Sequence, residues 1–342
     1  MKGLVGALLI PLLLGLSSCG LPANPVTPPE VLVAGESGAS GGNAVTYSFP
    51  FSQSPAVLST LSIPAGDTVW GSADVDNALI VLARSSSQGF FLVAPLPLSS
   101  ASPFVKVTLP SGYTPWALAT VTPQVLVVLM TTQTNSQGCL ALFDANTLVQ
   151  ETGGGSIVPS SCQPIPGQHP SLSGGFLIPL TDGVMFLAGV VTGSGSSATT
   201  QLYLLTQTSV LSGGTLSPQA VWTLADSYPG GGPLSGAAES EAVLLPDPRT
   251  SAVDLYPVTT LYSSRGGTLS PISRTSLSLS VPPTLLAIDP ANNFLVAGSP
   301  ANISLFGLGS ILNPGGTLGA LGSVFSLSGE SVETLTIYTG SS

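Results

Sequence analysis

Charge is what this chain has least of. Only 6% of its 342 residues are Asp, Glu, Lys or Arg, against roughly a quarter in ordinary soluble domains, so its surface must be made mostly of Ser, Thr, Gln and Asn. Six basic residues face sixteen acidic ones, for a net charge of −10. Lys2, Arg84, Lys106, Arg249, Arg265 and Arg274 are too few and too scattered to make the basic patch that phosphate contacts need. Nucleic acid is excluded as a partner. Histidine is almost missing too, because His169 stands alone. Every Ser-His-Asp, Cys-His or histidine–metal scheme would have to pass through it. The cysteines beside it are too few for a structural zinc site, so neither metal nor cofactor is expected.

Present in quantity are turn formers and aliphatic residues: 40 Gly, 31 Pro and 43% hydrophobic residues. That content is too apolar for disorder and too poor in helix formers for a helical bundle, so an all-β fold is expected. Scarce cations also bear on habitat. Acid unfolding is driven by repulsion among the cations left once carboxylates are neutralised, and here that repulsion is slight. An acidic habitat fits this pattern, as does simple drift in a neutral periplasm. Heat adaptation, which enriches Lys and Glu, does not.

The N-terminus reads as an export signal. Met1 and Lys2 precede an apolar run from Leu4 to Leu16, which is shorter than the roughly 20 residues a spanning helix needs and is broken by Pro11. Small residues follow, completing the layout of a secretory signal. Leu16-Ser17-Ser18-Cys19 resembles the bacterial lipobox, which implies cleavage before Cys19 and lipidation of that cysteine. Acyl chains anchor a protein without a spanning helix, so membrane lipid is an expected partner through Cys19. Gly20, where no Asp follows the cysteine, implies the outer membrane, with the domain in the periplasm or at the cell surface. The expected organisation is signal peptide 1–18, Pro-rich tether 19–30 and folded domain 31–338. Outside the cytoplasm a spare pair of cysteines most often bridges, which makes Cys139 and Cys162 a candidate disulfide.

The most informative feature is repetition. Residues 201–224 (QLYLLTQTSVLSGGTLSPQAVWTL), 254–279 (DLYPVTTLYSSRGGTLSPISRTSLSL) and 303–327 (ISLFGLGSILNPGGTLGALGSVFSL) are one unit written three times. Each holds an alternating strand, a polar excursion, Gly-Gly-Thr-Leu and another strand. The second glycines stand at 214, 267 and 316, a period of about fifty. A second landmark, proline then two apolar strands around a turn, recurs from Thr114, His169 and Pro282. Asp289-Pro290 and Asn292-Asn293 mark the last of these turns. Four strands per forty to fifty residues is the signature of a propeller blade.

The run PPTLLAIDPANNFLVAG, followed by ISLF and GTL, resembles the lactonase-like, or YVTN-type, β-propellers. It is clearest over 283–318, looser over 116–269 and faint before that. Blades are expected near 68–110, 116–159, 170–226, 234–280 and 283–328. A sixth is built from both ends: Val31 to Ile63 supplies three strands and Val332 to Tyr338 the inner one, which closes the ring and removes its free edges. Seven blades, common in the resembling family, is the alternative. The family contains sugar lactonases, muconate-cyclising enzymes and surface proteins, so the resemblance bears on fold more than on activity.

Each candidate for chemistry has a plainer reading. His169 precedes an inner strand, where some lactonase-like enzymes place a working histidine among arginines and a glutamate; here the nearest charged residues in sequence are Glu151 and Asp182, and a loop histidine without catalytic duty is expected. Gly38 to Gly42 fits G-x-S-x-G, but a strand follows where a nucleophile elbow needs a helix. Gly153 to Gly155 and Gly230 to Gly232 lack the rest of a phosphate loop and read as loops. Asp74-Val75-Asp76-Asn77 lacks the glycine and distal glutamate of a calcium loop and reads as a turn. Glu239 and Glu241 would share a strand face and read as solvated edge residues. Trp70 and Trp116 begin adjacent units and read as packing aromatics. The expected function is a non-enzymatic binding or scaffold module of the envelope, with an envelope protein or a glycan as partner. A lactonase-like periplasmic hydrolase or isomerase and a structural cell-surface repeat protein are the alternatives.

Overall fold

The computed structural model describes residues 30–339 except 39–40, 52–55, 87, 133–136, 152, 168–170, 248, 292, 314–315 and 326–329. Cys19, the lipobox and most of the tether therefore lie outside the described residues, as does His169. Six sheets of four or five strands follow one another along the chain. The second strand of a sheet explains why runs such as ALIVLAR and VLVVLMTT are apolar throughout: Ala78 to Ala83 are all buried, and so are Leu126 to Met130. Adjacent sheets cover both faces, and a strand buried on both faces has no polar side to alternate.

The inner strands Ser331–Thr339, Thr68–Val75, Tyr113–Thr122, Leu172–Pro179, Ala237–Ala238 and Leu285–Ile288 touch in that order and return to the first. The fold is a six-bladed β-propeller. Its hydrophobic core is six separate wedges, one between each pair of neighbouring blades. Blade 1 joins the two ends of the chain as expected: Glu30–Gly38 pairs antiparallel with Ser331–Thr339, Ala34 facing Leu335. Glu36, fully buried, accepts a hydrogen bond from the Tyr47 hydroxyl at 3.1 Å, and Asn43 Nδ2 donates to Glu330 at 2.6 Å beside the closing strand.

The repeated Gly-Gly-Thr-Leu has a structural role that its sequence did not disclose. In blades 3 to 6 the polar excursion after the third strand is a short helix: Ala145–Gln150, Gln207–Leu211, Val258–Ser263 and Leu308–Leu312. The chain then crosses to the preceding blade. Gly266–Leu269 pairs parallel with Ala220–Leu224 of blade 4, Gly155–Ser156 pairs with Val107 and Thr108 of blade 2, and Leu318 bridges Leu277 of blade 5. Gly213, Gly266, Gly267 and Gly316 all take positive φ, which glycine adopts without penalty. The apolar residue that follows docks in the wedge: Ile157, Leu216 and Leu269 are each buried between blades. One expected boundary moves in consequence. Blade 3 reaches its outer strand at Ser161–Pro164, past the expected end at 159, because residues 155–156 serve the neighbouring sheet.

Candidate functional site

Several sequence candidates resolve into local structure. Gly38 pairs with Gly41 and the strand Gly41–Ser48 follows, where a nucleophile elbow would need a helix; Ser40 itself lies outside the described residues. Asp76 and Asn77 both take positive φ between the paired Val75 and Ala78, the geometry of a tight hairpin turn. Among the described residues no group of three or more His, Cys, Asp or Glu is placed to hold a metal ion. The reading of Glu239 as a solvated edge residue is wrong. It is buried, in the turn before Ala242–Pro246, where its carboxylate accepts from the Glu241 N–H and the Ser240 hydroxyl, both at 2.9 Å. Glu241 is exposed. The turn needs an acceptor for its free donors, and a buried carboxylate supplies it. Cys139 and Cys162 lie on neighbouring strands of blade 3, their α-carbons 5.6 Å apart and their sulfurs joined.

The upper face of the ring is the one at which the chain enters each inner strand. Along the axis lies a small cavity, about 50 Å³, bordered by Ser72, Ala117, Leu177, Ser235, Leu285 and Glu333 among others. Glu333 is its carboxylate. Burial pushes that carboxyl above its ordinary range, while the Ser37 side chain and the Val69 N–H, which donates at 2.7 Å, pull it down. Ser72 Oγ is 2.7 Å from Thr334 Oγ1 and also bonds Thr336, so hydroxyls tie blade 2 to the closing strand.

Above it, between blades 4, 5 and 6, lies a larger cavity of about 100 Å³. Its walls are Gly174, Gly175 and Val191 on one side and Tyr228 to Leu234 with Pro282 to Thr284 on the other. The lining glycines serve close packing as well as space: an added Cβ would sit in ordinary contact at Gly174, 3.7 Å from Gly230 and Val191, but would clash with Leu129 at Gly175 and with Ser173 at Gly230. Pro233 and Leu234 border both cavities. Sequence reasoning read Gly230 to Gly232 only as a loop. The signal was present in the density of Gly and Pro before two inner strands, but which loops converge is set by ring closure.

Two charged groupings flank this face. Arg274 reaches three carboxylates: Asp254 at 2.6 Å, Asp226 at 2.8 Å and Asp247 at 2.9 Å, while Arg249 takes the other oxygen of Asp226 at 3.1 Å. On blades 2 and 3, Trp70 and Trp116 meet edge to face at 5.2 Å, and Arg84 lies over both rings. The packing role expected of the tryptophans is real, and the cation they enclose was not foreseen.

No protein-family model matches the chain, and no curated protein matches it. Among solved structures it is similar to the Dos1 propeller (12% identity, TM-score 0.47, covering 88% of this chain and 76% of that one). It is similar also to apo AztD from Citrobacter koseri (8%, 0.44, covering 92% and 100%). A third is a Bacteroides uniformis protein provisionally designated a 6-phosphogluconolactonase (11%, 0.48, covering 90% and 85%). Likeness at this level carries no argument about activity or partner. The six-bladed ring rests on its own strand pairing.

Proposed function

We propose that this protein is a lipid-anchored module of the bacterial envelope, held through Cys19, whose propeller binds a partner at its upper face and does not catalyse. One observation supports the reading most. Glu30, the first described residue, pairs with Thr339 at the lower end of the closing inner strand, whereas the Gly/Pro cavity opens at the upper face. A tether running from a lipidated Cys19 to Glu30 reaches the ring from below, and the cavity then points away from the lipid. The described lining of the axial cavity offers a catalyst little: hydroxyls, aliphatic side chains and the single carboxylate Glu333, where acid–base chemistry needs convergent titratable groups. By the absence of Asp after Cys19, the membrane is the outer one, and the partner is an envelope protein or a glycan.

The test separates anchor from binding face. Cys19→Ala should abolish lipidation and membrane retention; retention equal to the parent would refute the anchor. Gly174→Ala, whose added Cβ would sit in ordinary contact with Gly230 and Val191 on the cavity wall, should leave the fold intact and weaken capture of the partner from detergent-solubilised envelope. Equal capture would move the binding face elsewhere. Opening of simple sugar lactones faster than buffer, abolished by His169→Ala, would establish a hydrolase instead.

A further inference from the structure

Arg84 sits at the upper end of its strand, opposite Thr68, half buried, with its guanidinium carbon 4.3 Å from the Trp70 ring centre and 4.7 Å from that of Trp116. The rings stand at 84° to one another. The guanidinium lies in the angle between them, held by cation–π attraction. Its five N–H donors have no acceptor among the described residues. The other described cations are placed differently: Arg249 and Arg274 are spent on aspartates, Lys106 lies 3.6 Å from the Phe90 ring centre, and Arg265 is exposed in the loop after a blade 5 helix. Burial is the only influence resolved on Arg84, lowering its pKa with no carboxylate opposing.

A second donor beside it is also open. Trp70 is 3% exposed and its indole Nε1 is buried without an acceptor, whereas the equivalent atom of Trp116 donates to Thr131 Oγ1 at 3.2 Å. Buried donors and half-buried cations are costly when unmet. Among the described residues, no carboxylate of the sixteen acidic side chains pairs with Arg84; Glu333, which shares the axial cavity with Trp70, is held by the Val69 N–H at 2.7 Å. Trp70 is the bulged residue of its inner strand, between Val69 and Gly71, as Trp116 is between Pro115 and Ala117. Bulges re-aim side chains, so the clasp is built by the backbone of two blades.

We propose that Arg84, held between Trp70 and Trp116, is a binding site for a small monoanionic carboxylate, with the Trp70 indole N–H as second donor. The planar guanidinium fork matches two carboxylate oxygens, and two rings that fix its plane reduce the ordering cost of binding. The net charge of −10 favours a monoanion over a polyanion. This site is separate from the lipid anchor and from the Gly/Pro cavity.

The test is titration of the full chain, purified in detergent at low salt, with D-glucuronate, acetate and inorganic phosphate in parallel. Tryptophan emission and calorimetry are the readouts. Both carboxylates should give a saturable signal that phosphate does not. Arg84→Gln should weaken glucuronate binding about tenfold or more, which is about 1.4 kcal/mol. Arg84→Lys, which keeps the charge and loses the fork, should weaken it less, and Trp70→Phe should weaken it while keeping an aromatic ring. If Arg84→Gln does not fold, judged by circular dichroism, Trp70→Phe and Arg84→Lys decide. No saturable carboxylate binding, or binding unchanged in these variants, overturns the site. Saturation by phosphate alone overturns its assignment to carboxylates.

Discussion

Arg274 donates through Nε to Asp254 at 2.6 Å while its two terminal nitrogens hold Asp226 and Asp247, so one guanidinium neutralises carboxylates from two blades. Asp247 is fully buried and Asp254 nearly so. Removing the cation leaves both without a counter-charge. Arg274 is itself 39% exposed, and water screens part of the interaction. Arg274→Ala should therefore cost about 2–4 kcal/mol at neutral pH, near the lower end of what breaking a buried pair costs. Arg274→Lys should recover little, because a point charge cannot reach three carboxylates. Urea denaturation of the two variants checks this.

Acid should stabilise this fold before it harms it. Burial raises the carboxyls of Asp67, Asp74, Asp254, Glu330 and Glu333; Lys106, the Asp74 backbone N–H, Arg274, Asn43, and Ser37 with the Val69 N–H respectively pull them partly back. A carboxyl raised on folding binds its proton more tightly in the native state. Its contribution to stability therefore grows as pH falls from the folded value toward the ordinary 3.8 for Asp and 4.5 for Glu. Asp182 runs the other way: burial would raise it, but the Tyr262 hydroxyl and the N–H groups of Met185 and Val184 leave it lowered. With five groups against one, the melting temperature should be at least as high near pH 5 as at pH 7, and near-ultraviolet circular dichroism should show native packing there. A melting temperature that falls steadily over that interval would refute the balance.

The ring was legible because its signals are local and repeated. Asp289 accepts from the N–H groups of Asn293 and Phe294, the turn that Asp-Pro and Asn-Asn announced, and the alternation of VETLTIY led to the closing strand. What the sequence could not disclose arises where separate blades meet. The short helices have few helix-favouring residues; Asp144, which accepts from Asn146 N–H at 2.9 Å, and Thr206 cap the first two, and the wedge beneath holds all four. Arg84 gave no signal because its partners are inner-strand residues of two blades brought together only by packing. Glu239 was misread because two short strands joined by a tight turn look in sequence like one longer strand.

The bridge between Cys139 and Cys162 spans a sequence separation of 23, and closing a loop of that length is worth about 3–4 kcal/mol by the chain-entropy model. Non-reduced mass analysis should find the two peptides joined. Reduction, or replacing both cysteines by alanine, should lower the melting temperature without changing blade number. Two free thiols in the mature protein would refute the pairing.

Closure of the ring offers the sharpest test of how the fold holds together. Deleting everything after Gly329 removes Ser331–Thr339, the partner of Glu30–Gly38 along its whole length. It strips from blade 2 the acceptor of the Val69 N–H on Glu333 and the hydroxyl partners of Ser72. Val332 leaves the wedge between blades 6 and 1, and Leu335 and Ile337, packed against it, leave too. The exposed edge then invites pairing with a second chain. The truncated protein should melt far below the parent and associate in sedimentation. A single change separates edge loss from lost packing: Leu335→Ala, in the middle of the strand, keeps every backbone pair and should cost about 2–3 kcal/mol, toward the lower part of the range for large-to-small changes because the residue is only partly buried. If the truncated chain melts like the parent and stays monomeric, residues 330–342 are a free tail and the first blade closes by some other route.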